Sequence, residues 1–217
     1  MHEVHSDLRA SQAVHTMSPG TWKDSPFRVS VVGIDGSGKG SVTDTIAEGF
    51  GQERRVARIG LPTYTIVEGQ RSEPYRRVLG AIDRLQSLPG GVDIALNVLL
   101  QGRVVEPGLV RSMMPELLIG SRDYVIDPSV YATLYSPTLS KRPMGLRMDV
   151  MQRITGLSPR NAIFFLSVPP EVAVERLERR LAAQKAGVYI PGDRRQRDKH
   201  ENVHDLKTVR REYHEAL

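Results

Sequence analysis

A run of glycines directly after an apolar segment constrains this chain more than any other feature. Residues 27–32 (FRVSVV) are rich in β-branched side chains and predict a buried strand, and residues 33–39 (GIDGSGK) follow at once. A helix is predicted from about Lys39 to Phe50. The spacing G-x-x-x-x-G-K after a strand and before a helix is typical of a loop whose backbone N–H groups surround phosphates. The alternative is a glycine-rich turn with an incidental lysine.

The position after Lys39 departs from the usual form of such loops. It holds Gly40 in place of serine or threonine, and the first hydroxyl follows at Ser41. The usual magnesium ligand is therefore missing or displaced to Ser41. Because Mg²⁺ retains several waters, it can still lie between phosphates and a carboxylate. Asp127, expected to end a short strand at residues 124–126, is the candidate carboxylate, and an ordinary Asp-Pro turn is the alternative.

Composition limits the class of protein. The 217 residues carry 30 Lys+Arg against 25 Asp+Glu, a net charge of +5, and this length predicts one domain. The absence of cysteine excludes disulfides, a thiol nucleophile and a cysteine-bound zinc. Residues 1–26 are polar and predict a flexible arm before a domain at 27–217, with no signal peptide core and no membrane span in the chain. We therefore expect a cytoplasmic protein.

Further along the chain, strands and helices alternate, which predicts an α/β domain with a mostly parallel sheet. Residues 162–168 (AIFFLSV) are expected to form the clearest buried strand, followed by a helix from Glu171 to about Gln184. The remaining predicted elements are a strand at 55–59, an amphipathic helix within 62–88, a helix over 92–105 and further helix between Pro107 and Pro115.

Three segments resemble one family. Residues 33–41 resemble the phosphate loop of adenylate kinases, and the DGSGK wording at 35–39 looks more like thymidylate kinases. Residues 159–177 (PRNAIFFLSVPPEVAVERL) closely resemble a strand and helix of thymidylate kinases, and residues 200–213 resemble the helix after their lid. The chain thus resembles thymidylate kinase-like P-loop nucleoside monophosphate kinases. The resemblance implies a three-layer P-loop NTPase fold, ATP and Mg²⁺ as cofactors, and phosphoryl transfer to dTMP or a related pyrimidine deoxynucleotide.

The resemblance also implies roles for individual residues. Arg176 and Arg180, which share one face of a predicted helix, would lie against adenine and phosphate, and a basic lid at about 186–200 would close over ATP. The expected catalytic residues are Lys39, Asp127, Arg180, Arg194 and Arg195. The expected nucleotide-binding residues are Gly33, Asp35, Gly36, Ser37, Gly38, Lys39, Gly40, Ser41 and Arg176. Acceptor contacts are expected at Asp35, Pro62, Arg76 and Arg103, and metal contacts at Ser41 and Asp127.

Two departures from the family keep other functions open. Asp127-Pro128 stands where the family usually has Asp-Arg-Tyr or similar, and Gly40 follows Lys39 where such loops normally have serine or threonine. A P-loop kinase with another acceptor and a nucleotide-binding protein with reduced catalysis therefore remain alternatives. A zinc hydrolase is a third, because residues 200–204 (HENVH) match H-E-x-x-H. We expect no nucleic-acid or membrane partner, and a homodimer stays open.

Overall fold

The computed structural model describes most of the predicted domain. It covers residues 25–52, 54–59, 98–99, 101–157, 160–187 and 201–217. The expected N-terminal arm, apart from residues 25–26, lies outside this part of the chain. So do the amphipathic helix within 62–88 and residues 188–200 of the expected lid.

Strands and helices alternate along the described chain. The strands are β1 (Phe27–Val32), β2 (Val56–Ile59), β3 (Leu117–Gly120) and β4 (Ala162–Phe165). The helices are α1 (Lys39–Gly51), α2 (Glu106–Met113), α3 (Ile126–Tyr135), α4 (Met144–Thr155), α5 (Pro170–Lys185) and α6 (Val203–Ala216), and a short π-helix (Gln101–Val105) leads into α2. The predictions for β1, α1, β2 and α5 are confirmed. Among the described helices, none has both the length and the apolar character that crossing a bilayer requires.

The four strands form one parallel sheet in the order β2-β3-β1-β4. Val29 of β1 lies in register with Ile119 of β3 and with Ala162 of β4. Val31 and Val32 in β1 are completely buried, because this strand has a neighbour on each side. The predicted α/β class with a parallel sheet is confirmed.

Helices cover both faces of this sheet. On one face Ala47 of α1 packs with Val29 and Ile119. On the other face Leu109 of α2 packs with Leu118, the neighbour of Ile119 on β3. Successive residues of a strand point to opposite faces, so β3 carries apolar side chains on both.

A third apolar cluster joins helices α3 to α6 beneath the end of β1. Its fully buried members include Leu206, Val209 and Tyr213 of α6. The complete cluster is Val32, Ile34, Ile126, Val130, Tyr131, Met144, Ala173, Leu177, Leu206, Val209 and Tyr213. This packing places α3, α5 and α6 next to the glycine-rich loop that follows β1.

The strand expected at residues 124–126 was wrong. The strand is β3, at Leu117–Gly120, and Ile126 already begins α3. The Asp123 side chain accepts hydrogen bonds from the backbone N–H groups of Val125 and Ile126, which turns the chain into the helix. Pro128 lies in the first turn of α3, where the missing N–H would have no helical partner in any case. Asp127 is therefore a helical residue and not a strand end.

The expectation that residues 162–168 form the clearest buried strand was also wrong. The strand ends at Phe165, and Ile163 and Phe164 are 39% and 48% exposed. Its apolar composition suited a central strand, but β4 pairs with β1 alone among the described strands and so lies at the sheet edge.

Candidate functional site

The loop after β1 adopts a backbone that glycine alone tolerates at two positions. Gly36 has φ +82°, and a Cβ atom there would run into the backbone carbonyl of Ala173 on α5. Gly33 has φ +148°, and its Cβ atom would lie 2.8 Å from the carbonyl oxygen of Leu166. Both glycines therefore let the loop pack directly on the backbone beside α5.

The start of α1 presents donors that no side chain satisfies. Gly38 precedes the helix with φ +96° and supplies no capping side chain, and the first turn contains no acidic residue. The hydroxyl of Ser37 is buried, with 5% of the residue exposed, and makes no hydrogen bond. Uncapped helical N–H groups and the positive end of the helix dipole attract anions. The loop is thus suited to an anionic ligand.

Lys39 is held at the mouth of this loop. Its Nζ donates hydrogen bonds to the carbonyl oxygens of Gly33 at 2.6 Å and Ile34 at 2.9 Å, and it lies 3.6 Å from Asp35 Oδ1. Burial lowers the pKa of Lys39 to about 8, and Asp35 only partly opposes this shift. An anion bound beside the ammonium would stabilise its charge.

Arg122 is a functional candidate that the sequence analysis missed. Its Nη2 lies 2.5 Å from Asp35 Oδ1, its Nη1 lies 3.5 Å from Asp127 Oδ1, and its guanidinium stands over the ring of Tyr131. Burial, the largest single influence, lowers the pKa of Arg122, but Asp35, Tyr131 and Asp127 together raise it well above its ordinary value. The available signal was an arginine two residues after the apolar segment 117–120, just where a parallel strand opens towards a ligand.

Asp127 lies beside the loop but its oxygens are already engaged. Oδ2 accepts a hydrogen bond from the backbone N–H of Asp123 at 2.6 Å, and Oδ1 accepts one from the Tyr213 hydroxyl at 2.7 Å. Burial raises the pKa of Asp127, against the opposing effect of Arg122. A metal at Asp127 would share an oxygen with one of these donors, displace a donor or bind through water, and its metal role stays a prediction. The described residues contain no group of three or more His, Asp or Glu placed to hold a metal.

Asp35 is engaged in a similar way. Its Oδ2 accepts a hydrogen bond from the Tyr131 hydroxyl at 2.9 Å, while Oδ1 faces Arg122 and Lys39. We call Asp35, Lys39, Arg122 and Asp127 the loop cluster; it holds two formal positive and two formal negative charges. A polyphosphate would compete with the two carboxylates for these cations, and a contact of Asp35 with an acceptor sugar stays a prediction.

A second buried charge cluster lies along β1 and is connected to the loop cluster through Asp123, whose backbone N–H donates to Asp127. Arg28 Nε donates to Glu106 Oε1 at 2.9 Å, and Arg160 contacts both oxygens of Glu106 at 3.2 Å. Arg160 Nε also donates to Asp123 Oδ2 at 3.0 Å, as does the hydroxyl of Ser30 at 2.8 Å. We call Arg28, Glu106, Asp123 and Arg160 the strand cluster. Burial lowers the pKa of Arg160, but Glu106 and Asp123 together raise it above its ordinary value.

Arg176 lies beside the loop, and the contact with adenine that the family resemblance implies for it stays a prediction. Its Nη1 lies 3.4 Å from the carbonyl oxygen of Ser37 and approaches Gly38. Arg180, one turn later on α5, is exposed. Gly40 and Ser41 are exposed at the start of α1. The structure therefore places the expected residues 33–41 and Arg176 together.

Arg103 lies elsewhere. Its Nε and Nη2 donate to the carbonyl oxygens of Ile154 and Arg153 at the end of α4. Gly156 leaves the room for this guanidinium, which occupies the space that a Cβ atom would need. The cation therefore satisfies helix carbonyls, and its expected contact with an acceptor stays a prediction.

Several expected site residues lie outside the described part of the chain. They are Pro62, Arg76, Arg194 and Arg195. The H-E-x-x-H pattern is only partly described, but α6 begins at Val203, after Glu201. Asn202 is extended and caps that helix by accepting a hydrogen bond from the backbone N–H of Asp205. A zinc protease carries the whole pattern on one helix, whereas Glu201 precedes this helix, and His200 lies outside the described residues.

Comparison of the sequence with protein-family models finds no match, and comparison with curated proteins finds none either. A fold of this class hosts many unrelated activities. The case for a function therefore rests on the geometry of the loop and its cluster.

Proposed function

We propose that this chain is an ATP-dependent P-loop kinase of the nucleoside monophosphate kinase type. Its preferred acceptor would be dTMP or a related pyrimidine deoxynucleotide, and the products would be ADP and the nucleoside diphosphate. The observation that carries the proposal is the loop at residues 33–38, which joins a central parallel strand to an uncapped helix with Lys39 at its mouth. We place this activity in the cytoplasm, within nucleotide biosynthesis.

The loop and its neighbours suit the phosphates of ATP. The free N–H groups of the first turn of α1 and the Ser37 hydroxyl would donate to phosphate oxygens. Lys39 would exchange the carbonyl oxygens of Gly33 and Ile34 for phosphate oxygens. Arg176, beside Gly38, is placed to contact the nucleotide from α5. Each of these groups donates hydrogen bonds, as recognition of a polyanion requires.

Phosphoryl transfer asks little covalent chemistry of a protein. Alignment of the two nucleotides and stabilisation of the charge on the transferring group account for most of the catalysis. Lys39 and Arg122 would supply that charge here. Magnesium, when bound, neutralises phosphate charge, and Ser41 with Asp127, the latter through water, are the residues that would hold it.

A second candidate is a nucleotide-binding protein with reduced turnover. The engaged oxygens of Asp127 favour it, because they leave no free carboxylate at that position for magnesium. Gly40, in place of a hydroxyl residue after Lys39, favours it as well. A P-loop kinase with a different acceptor would share the loop and differ in its acceptor contacts, of which Pro62 and Arg76 lie outside the described ranges.

A coupled assay of ADP release across nucleoside monophosphates separates these candidates. We expect release with dTMP, and Lys39→Ala should lower turnover by about 100-fold or more, the loss typical of removing a transition-state donor. Lys207→Ala removes an exposed lysine on α6 and should leave turnover unchanged. ATP binding without ADP release for any acceptor would favour the binding protein, and near-normal turnover by Lys39→Ala would exclude the loop as the phosphate site.

A further inference from the structure

Tyr213 lies among apolar side chains, where the ring of a phenylalanine would also pack. The residue is completely buried on α6, and its ring meets Tyr131 edge-on at 6.4 Å and Phe165 at 5.5 Å. Its neighbours belong to the apolar cluster beneath the loop. Burying a hydroxyl there is unfavourable unless it makes a hydrogen bond, and the bond it makes is the one to Asp127 Oδ1 at 2.7 Å.

By donating to Asp127 Oδ1, the hydroxyl of Tyr213 weakens the ion pair between Asp127 and Arg122. It shares Oδ1 with Arg122 Nη1, which remains 3.5 Å away, while the other oxygen is occupied by the N–H of Asp123. On its other side Arg122 Nη2 is 2.5 Å from Asp35 Oδ1. Asp35 belongs to the glycine-rich loop, so this short contact keeps the Arg122 guanidinium close to the loop and farther from Asp127.

Without this hydroxyl, Oδ1 of Asp127 would have Arg122 as its main donor. A buried carboxylate that loses one donor binds the remaining cation more tightly, because the charge cannot be solvated by water. Arg122 would then move towards Asp127 and away from the loop. Asp35 and Asp127 thus compete for Arg122, and the hydrogen bond from Tyr213 to Asp127 favours the contact of Arg122 with Asp35.

We propose that Tyr213 is a positioning residue that, by donating to Asp127, keeps the Arg122 guanidinium directed at the phosphates bound in the loop. This inference rests on the proposed function, since the phosphates are those of ATP. It assigns to α6 a part in nucleotide affinity although Tyr213 itself contacts no ligand. It also predicts that the effect of the hydroxyl passes entirely through Arg122.

The test is the dissociation constant of magnesium-free ATP, measured by calorimetry on the full chain. Tyr213→Phe should raise the Kd about tenfold, as expected for one hydrogen bond to a charged group. In an Arg122→Gln background the same substitution should change the Kd less than about twofold. Tyr124→Phe is the matched control: Tyr124 is equally buried but stands by Arg160 of the strand cluster, and its loss should leave the Kd unchanged.

A rescue variant sharpens the test. Tyr213→Phe combined with Asp127→Asn removes the charge that would draw Arg122 away, so its Kd should return to that of Asp127→Asn alone. In this double variant the Asp127 carboxylate is absent, so no buried charge lacks a donor. The variant can therefore be tested even if Tyr213→Phe alone does not fold. A purely structural tyrosine would lower the urea-unfolding free energy and leave the Kd of ATP unchanged. That result, or a tenfold loss that persists with Arg122→Gln or in the double variant, overturns the inference.

Inorganic pyrophosphate separates failure of this inference from failure of the proposed function. If the wild-type chain binds pyrophosphate but not ATP, the nucleotide proposal fails, and an Arg122-dependent tenfold loss with Tyr213→Phe still supports positioning. If it binds ATP and Tyr213→Phe has no effect, positioning alone fails. If it binds neither ligand, both are overturned, because Arg122 then has no anion to meet.

Discussion

The loop cluster and the strand cluster contain the same formal charges but differ in the lengths of their ion pairs. Each contains two cations and two carboxylates, and each is largely buried. In the strand cluster every ion pair lies at 2.9–3.2 Å and Ser30 adds a further donor. In the loop cluster two of the three ion pairs are longer, at 3.5 and 3.6 Å, and Lys39 relies on backbone carbonyls.

The difference indicates which cluster maintains the fold and which is available to a ligand. Short, complete pairing leaves a buried charge nothing to gain from a new partner. In the loop cluster the ion pair of Lys39 and one of the two pairs of Arg122 are long, although the other Arg122 pair is 2.5 Å, so an anion can replace the long contacts at small loss. A charge-balanced cluster can therefore be structural or functional, and the lengths of its contacts distinguish the two.

The largest effect is expected in the strand cluster. Glu106→Gln should lower the free energy of unfolding by about 3–5 kcal/mol, because Arg28 and Arg160 would lose their buried counter-charge. Urea denaturation of the wild type and the variant measures it. The exposed Glu215→Gln is the control, and the Kd of ATP should be the same in all folded variants. A loss below about 1 kcal/mol would show that the strand cluster is not structural.

A smaller effect is expected from the titration of Lys39. Its pKa of about 8 in the folded protein is below the ordinary value of 10.5, so the unfolded chain binds more protons between these values. The unfolding free energy should therefore gain up to about 3 kcal/mol from this group as pH rises from 8 to 10.5, and lose that gain as pH falls through 8. Lys39→Met should remove the gain in urea denaturation at pH 7–10. Parallel curves for the two proteins would contradict a buried, ligand-ready lysine.

The smallest effect compares two serines. Ser37 has no hydrogen-bond partner, whereas Ser30 donates to Asp123 at 2.8 Å. Ser37→Ala should leave the ligand-free unfolding free energy unchanged or raise it by about 1 kcal/mol, while Ser30→Ala should lower it by about 1–3 kcal/mol. With ATP present, the thermal stabilisation should shrink for Ser37→Ala alone. Equal destabilisation by both substitutions would remove the distinction between the clusters.

The part of the site that could be predicted is the part encoded locally. The strand, the glycine spacing and the helix lie within residues 27–51, so their order in sequence is also their order in space. The place of Arg176 beside the loop was implied by the family resemblance, while helical spacing by itself placed only Arg176 and Arg180 on one face of α5. These predictions needed no knowledge of the sheet order.

The rest depended on contacts between distant segments. Arg122 was missed because β3 was expected seven residues too late, which separated the arginine from the strand end that directs it to the loop. The acceptor contact of Arg103 was implied by the family resemblance and stays a prediction, but its contacts with the carbonyls of α4, about 50 residues away, could not be inferred from the nearby sequence. Among the described residues, β4 lies at the sheet edge and Phe164 is half exposed, and an apolar sequence cannot disclose either fact.

The close approach of Gly36 to the carbonyl of Ala173 carries an evolutionary consequence. No side chain fits at position 36 while α5 keeps its position, so sequence changes in the loop and in the first turns of α5 cannot be independent. A substitution that shifts α5 would also shift the loop backbone and carry Arg176 with it. Related chains should therefore vary at these two segments in concert, and the loop would be inherited together with the helix that supports it.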